Sequence, residues 1–132
     1  MRRTNGTTLA TAIALVGSLV LVGAQQPTVK RTELQRGDLS VQGREAVMAK
    51  AELPAGATTG RHTHPGEEVS YVLQGMIMLD VEGKPSRMLK AGEVFIVPAG
   101  VVHNAMNHDS GTSTVLATYI VEKGKPLVTP VP

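Results

Sequence analysis

Between Arg44 and Leu53 apolar and polar residues alternate. Val47, Ala49, Ala51 and Leu53 fall on one face, and Met48, Lys50 and Glu52 on the other. A period of two is that of a strand buried on one side. The alanines would also suit a helix, but Pro54-Ala55-Gly56 ends the segment and the alternation fits a strand better. Short β-rich runs then recur at 61–64, 69–73, 76–81, 86–89, 94–97, 101–106 and 114–121, with Gly and Pro between them. No helical period is found beyond the first two dozen residues. This pattern predicts an all-β sandwich or barrel. On either side the alternation is missing. Residues 25–43 are polar, with Pro27 and Gly37, and read as a flexible arm free to order on the barrel or on a neighbour. Residues 123–132 carry Pro126, Pro130 and Pro132 and read as an extended surface tail that could cross a dimer interface.

The first residues have a different pattern. Arg2 and Arg3 precede a nearly charge-free apolar run from Leu9 to Val22, and Val22-Gly23-Ala24 offers small or short residues where a signal peptidase reads. A secretory signal at 1–24, cleaved after Ala24, is expected. The alternative is a membrane anchor, but the run falls short of the ~20 apolar residues a span needs. Thr4, Asn5 and Gly6 follow the Arg pair, which argues against twin-arginine export. No Cys is present to carry a lipid. The expected product is periplasmic or secreted, with no stable membrane span after processing.

Cleavage changes the charge balance. The formal +2 comes from Arg2 and Arg3 alone, so about 108 mature residues carry equal numbers of acids and bases. The basic pI is therefore no sign of a nucleic-acid partner. The mature length suits one domain with a single core. Without Cys there is no disulfide, thiol ligand or thiol nucleophile. Stability has to come from the core, with a metal and a subunit interface as possible additions. Tyr71, Phe95 and Tyr119 are the only aromatic residues, so a pocket built on aromatic stacking is not expected.

The candidate chemistry lies between Gly56 and Asn107. His62 and His64 are two residues apart and so share a face of an extended strand. Glu68 follows a Pro65-Gly66 turn that can bring it back. His103 comes from a distant strand, behind the Pro98-Ala99-Gly100 turn. Three imidazoles and a carboxylate suit a divalent transition metal. Burying such a cluster without a metal would be costly. His108, in a polar loop, has no such partners and reads as a surface residue.

These residues carry a resemblance. Gly56, His62, His64, Glu68 and Gly75 match the first motif of the cupins at every spacing. Gly92, Pro98, Gly100, His103 and Asn107 match the second, and sixteen residues separate the two. The chain resembles a small, single-domain bacterial cupin over about half its length. The motif spacing, with Val69 following, favours Glu68 over Glu67 as the ligand. The resemblance implies a double-stranded β-helix, or jelly-roll barrel, over 44–122. The four glycines Gly56, Gly75, Gly92 and Gly100 read as scaffold positions at turns.

The expected cofactor is one divalent transition metal per chain, Fe, Mn, Ni, Zn or Cu, held by His62, His64, Glu68 and His103. Two positions of an octahedral ion would stay open for a small-molecule substrate, oxygen or water. Parity places Ser70 and Val72 inward with Glu68, and Ala105 and Asn107 inward with His103. Arg61 should face outward, and Arg87 is not placed by parity. If Arg87 faced inward, an anionic substrate would be favoured. Tyr119 reads first as a core or interface aromatic and second as a proton donor. The expected activity is that of a mononuclear metal-dependent dioxygenase. The alternatives are a non-redox lyase or isomerase and a non-catalytic metal or small-ligand binder. No catalytic residue beyond the ligand set is assigned, and the chain is expected to form a homodimer.

Overall fold

The computed structural model describes residue 23 and residues 25–132, so the expected signal segment lies outside the described residues apart from Gly23. Among the described residues ten strands form two five-stranded sheets. They are β1 Lys30–Asp38, β2 Arg44–Leu53, β3 His62–Thr63, β4 Gly66–Gln74 and β5 Met76–Val81. They continue with β6 Arg87–Lys90, β7 Val94–Val97, β8 His103–Asn107, β9 Ser113–Glu122 and β10 Thr129–Pro130. One sheet runs β1-β2-β9-β4-β7 and the other β10-β3-β8-β5-β6, with antiparallel pairing throughout. This is the jelly roll that the motifs implied. Among the described residues there is no helix long and apolar enough to cross a membrane.

Alternation decides which residues face the interior. Val47, Ala49, Ala51 and Leu53 of β2 are buried, as the period of two predicted. In β9, Ser113, Val115, Ala117, Tyr119 and Val121 are buried in strict alternation. In β4 the buried set is Gly66, Glu68, Ser70 and Val72. One apolar cluster gathers Leu53, Val72, Ile77, Leu79, Leu89 and Phe95 with their neighbours. A second joins Val47, Ala49, Ala117, Tyr119 and Val121 and takes in Leu127 from the tail.

Two glycines are required by local geometry. Gly100 has φ near 71°, in the left-handed region, inside a turn closed by the Val101 N–H on Pro98 O at 3.3 Å. That turn aims β8 and His103 into the interior. Gly66 opens β4 where a Cβ would run into the backbone of Ile120 and Val121 on β9. Only a residue without a side chain lets the two strands approach so closely.

The arm and the tail both order on their own barrel. Residues 30–38 pair with β2 along almost its whole length, with an irregularity between Glu33 and Gln35. The tail turns back so that β10 pairs with β3, and the Val131 N–H donates to Arg61 O at 2.9 Å. The apolar residues on the outer face of β4 and β7 stay exposed. Val94 is 61% and Ile96 62% accessible, and Val69 and Tyr71 lie beside them in the pairing register. β7 is also an edge strand of its sheet.

Candidate metal centre

His62 and His103 stand directly opposite each other on β3 and β8. Glu68 reaches toward them from β4 in the facing sheet. His64 follows β3 by one residue. All four side chains are buried, and their candidate donor atoms lie within 4.8 Å of one another. His108 is exposed, as expected. Glu67 and Arg61 are also exposed, and Arg87 is on the outside too.

The hydrogen bonds set the chemistry of this cluster. Each imidazole uses its Nδ1–H on a backbone carbonyl. His62 donates to Gly60 O at 2.8 Å, His64 to Leu127 O at 2.6 Å, and His103 to Val101 O at 3.0 Å. A carbonyl can only accept, so each neutral ring carries its lone pair on Nε2. The Nε2 atoms of His64 and His103 both lie 3.1 Å from Glu68 Oε2. Two acceptors facing each other at that distance repel unless a proton or a cation stands between them. Adjacent ligands of a metal with bonds of about 2.1 Å sit about 3 Å apart, so the spacing suits an ion. The residues therefore fit a divalent transition metal, and the fixed tautomers match the usual outer-shell support of metal-bound histidines. Ser70 adds to this by donating from Oγ to Glu68 Oε1 at 2.7 Å.

Protonation follows from these surroundings. Burial pushes the His62 pKa down to about 4, helped by the neighbouring His103 and His64 and opposed by its bond to Gly60 and by Glu68. His62 is therefore neutral at pH 7, as a ligand has to be. Burial alone would raise Glu68. Its close contacts with His103 and His64 and the hydrogen bond from Ser70 hold it well below the usual carboxylate range.

A cavity of about 30 Å³ opens beside the cluster, room for about two or three waters. Ile77, Leu79 and Phe95 form apolar wall, while His62, Glu68, His103, Thr59, Tyr119 and Arg31 bring polar groups to it. Three findings differ from the sequence reading. Two of the three aromatics, Phe95 and Tyr119, line the cavity, and the Tyr119 ring packs 4.5 Å from that of His64. Asn107 is buried as parity required but braces the scaffold. It donates to Leu53 O and Gly111 O and accepts from Asp109 N and Ser113 Oγ, and it is not on the cavity wall. Arg31 comes from β1, inside the arm, and no motif pointed to it.

Burial and the Glu68 charge raise the Tyr119 pKa to about 12, and Arg31 beside the hydroxyl partly offsets this. Tyr119 thus keeps its proton and can donate a hydrogen bond. The cluster offers a candidate cation site, a small and mostly apolar chamber, a neutral hydroxyl and, at its edge, one guanidinium.

Comparison with known proteins agrees with this architecture. The profile of the cupin domain family matches residues 49–129. Germin-like protein 1-1 of Oryza sativa subsp. japonica is 31% identical over 77 residues, which is 54% of this chain and 36% of that protein. The chain spans about a third of the length of the curated relatives it matches. A solved structure of oxalate oxidase with the substrate analogue glycolate superposes with a TM-score of 0.62 at 22% identity, covering 79% of this chain and 61% of that one. The DMSP lyase DddQ from Ruegeria pomeroyi DSS-3 gives a TM-score of 0.59 at 24% identity, over 65% and 43% of the two chains. At these identities the two structures establish a shared fold.

Proposed function

The chain belongs to the cupin domain family, and from that premise we propose that it is an exported metalloprotein acting on a small organic substrate. His62, His64, Glu68 and His103 hold one divalent transition metal. The best reading of its activity is a mononuclear oxygenase. The observation that carries the metal reading is the set of three Nδ1–H groups committed to carbonyls, which leaves Nε2 lone pairs facing an anionic carboxylate.

When bound, such an ion supplies Lewis acidity and, if redox-active, electrons for dioxygen. The protein's own contribution can be derived from its side chains. Ser70 fixes the Glu68 carboxylate. The apolar wall limits water around the substrate. Tyr119 holds a proton at its hydroxyl beside the reacting space. The second reading is a non-redox lyase, for which Tyr119 offers a hydrogen-bond donor that is not one of the proposed ligands. The oxalate oxidase and lyase among structural neighbours make both reaction classes worth testing.

The test is metal analysis of protein taken from its native compartment, joined to an oxygen-uptake screen over small carbonyl, enediol and carboxylate compounds. Stoichiometric redox-active metal with oxygen uptake is the expected result. Turnover without oxygen would replace the oxygenase with the lyase. A folded protein that takes up no metal would sink both. Export is supported by the charged start and apolar run before Ala24. Its test is N-terminal sequencing of the soluble protein, expected to begin at Gln25, and an intact Met1 at a membrane would overturn it.

A further inference from the structure

Arg31 joins two spaces. It lines the inner cavity with His62, Glu68, His103 and Tyr119, and with Thr59 it also lines a neighbouring groove formed by residues 26–29, Thr58 and Val128. Among the described residues it is the only Lys or Arg on the cavity wall. Among the described residues it makes no ion pair. Its neighbours Lys30 and Thr32 are not on that wall, so the placement belongs to this residue. The β1–β2 register sets Arg31 opposite Ala51, whose small side chain is also on the wall.

We propose that Arg31 is the anion anchor of this cavity and that the site takes a small carboxylate, gripped by the guanidinium at one end and directed toward the histidine–glutamate cluster at the other. This rests on the metal-binding reading above and adds the substrate class. Three observations converge on it. A divalent ion with the Glu68 carboxylate leaves a charge of about +1, and Arg31, which is exposed and so stands at the mouth of the chamber, adds a second positive charge there. That charge is answered by an anion, because the other groups on the wall are neutral. A guanidinium presents paired N–H donors in a planar fork that matches a carboxylate. The inner cavity holds about two or three waters, so the part of the substrate inside it has only a few non-hydrogen atoms. Tyr119 adds a neutral hydroxyl beside the same guanidinium, able to donate to a carboxylate oxygen.

The test uses protein purified from cells producing the full chain and loaded with zinc, which keeps the site redox-silent. Zinc content is measured first, then acetate and acetamide are titrated and followed by NMR. The two probes have nearly the same shape and differ in charge. Wild type is expected to prefer acetate, and Arg31→Gln to lose at least tenfold of that preference at unchanged zinc content. Arg31→Lys should recover part of it. Equal preference in wild type and Arg31→Gln would overturn the anchor, as would zinc-loaded wild type that binds no acetate. A purely structural role for Arg31 would weaken both probes alike and also overturn it. Wild type that takes up no zinc would instead sink the metal reading, and the anchor with it.

Discussion

At the scale of single residues, the site depends on which nitrogen each imidazole leaves free. His103 sits on β8 with its Nδ1–H on Val101 O, and its Nε2 faces Glu68. His103→Ala is expected to abolish stoichiometric metal binding, while His108→Ala leaves metal content unchanged because His108 is an exposed loop residue. Equal metal in wild type and His103→Ala would remove His103 from the ligand set. The metal-free protein should also be sensitive to acid. His62 is held near 4, below its ordinary 6.5. As pH falls from about 6.5 toward 4 the unfolded chain takes up a proton that the folded state refuses, so stability is lost across that window. Glu68, depressed below its ordinary 4.5, works in the same sense: the stability it lends above that value drains away as pH falls further. Denaturation midpoints of apo-protein between pH 7 and 4 should fall with pH, and a flat profile would contradict the His62 assignment. The four candidate ligands were legible in the sequence because a strand's alternation and two motif spacings bring them to one side. The groups that orient them were not. A backbone carbonyl, such as that of Leu127, has no residue type to betray it.

At the scale of elements, alternation was readable wherever a strand has one buried face. β2 and β9 satisfy this along their length, and the expected and observed strands agree there. β1 does not. Only Thr32 in it is even partly buried, so the stretch from Lys30 to Asp38 has no buried face and shows no period. It is held by its backbone pairing to β2, as an edge strand can be. That is why a residue on the cavity wall, Arg31, was hidden inside what looked like an arm. The tail was similarly opaque, because β10 pairs over only two residues. Between β4 and β9 the limiting element is Gly66. Gly66→Ala puts a methyl into the backbone of Ile120 and Val121, neither of which can swing aside. The expected cost is about 3 kcal/mol, toward the top of the overpacking range, read as a lower midpoint in chemical denaturation. A variant as stable as wild type would show that β9 can shift away freely.

At the scale of the whole molecule, we propose that the exposed strip on β4 and β7 meets a second copy, giving the homodimer expected from the sequence. The support is an edge strand, β7, whose Val94 and Ile96 face outward beside Val69 and Tyr71. Light scattering behind size exclusion should give two chains for wild type and one for Ile96→Lys. A wild-type monomer would end the proposal. The site has a consequence at this scale as well. Its four donors come from both sheets, and His64 is oriented by a carbonyl at residue 127. On the proposed metal reading, an early fragment lacks His103 and the Leu127 carbonyl that orients His64, so it cannot present the full donor set. Loading thus waits for the end of folding and stabilises only the finished fold, by about 2.7 kcal/mol at a free ion concentration a hundred times the Kd. A chain exported unfolded would then acquire its metal after crossing the membrane. Which ion it carries would be decided by the supply in that outer compartment, and the cytoplasmic metal pool would have no say.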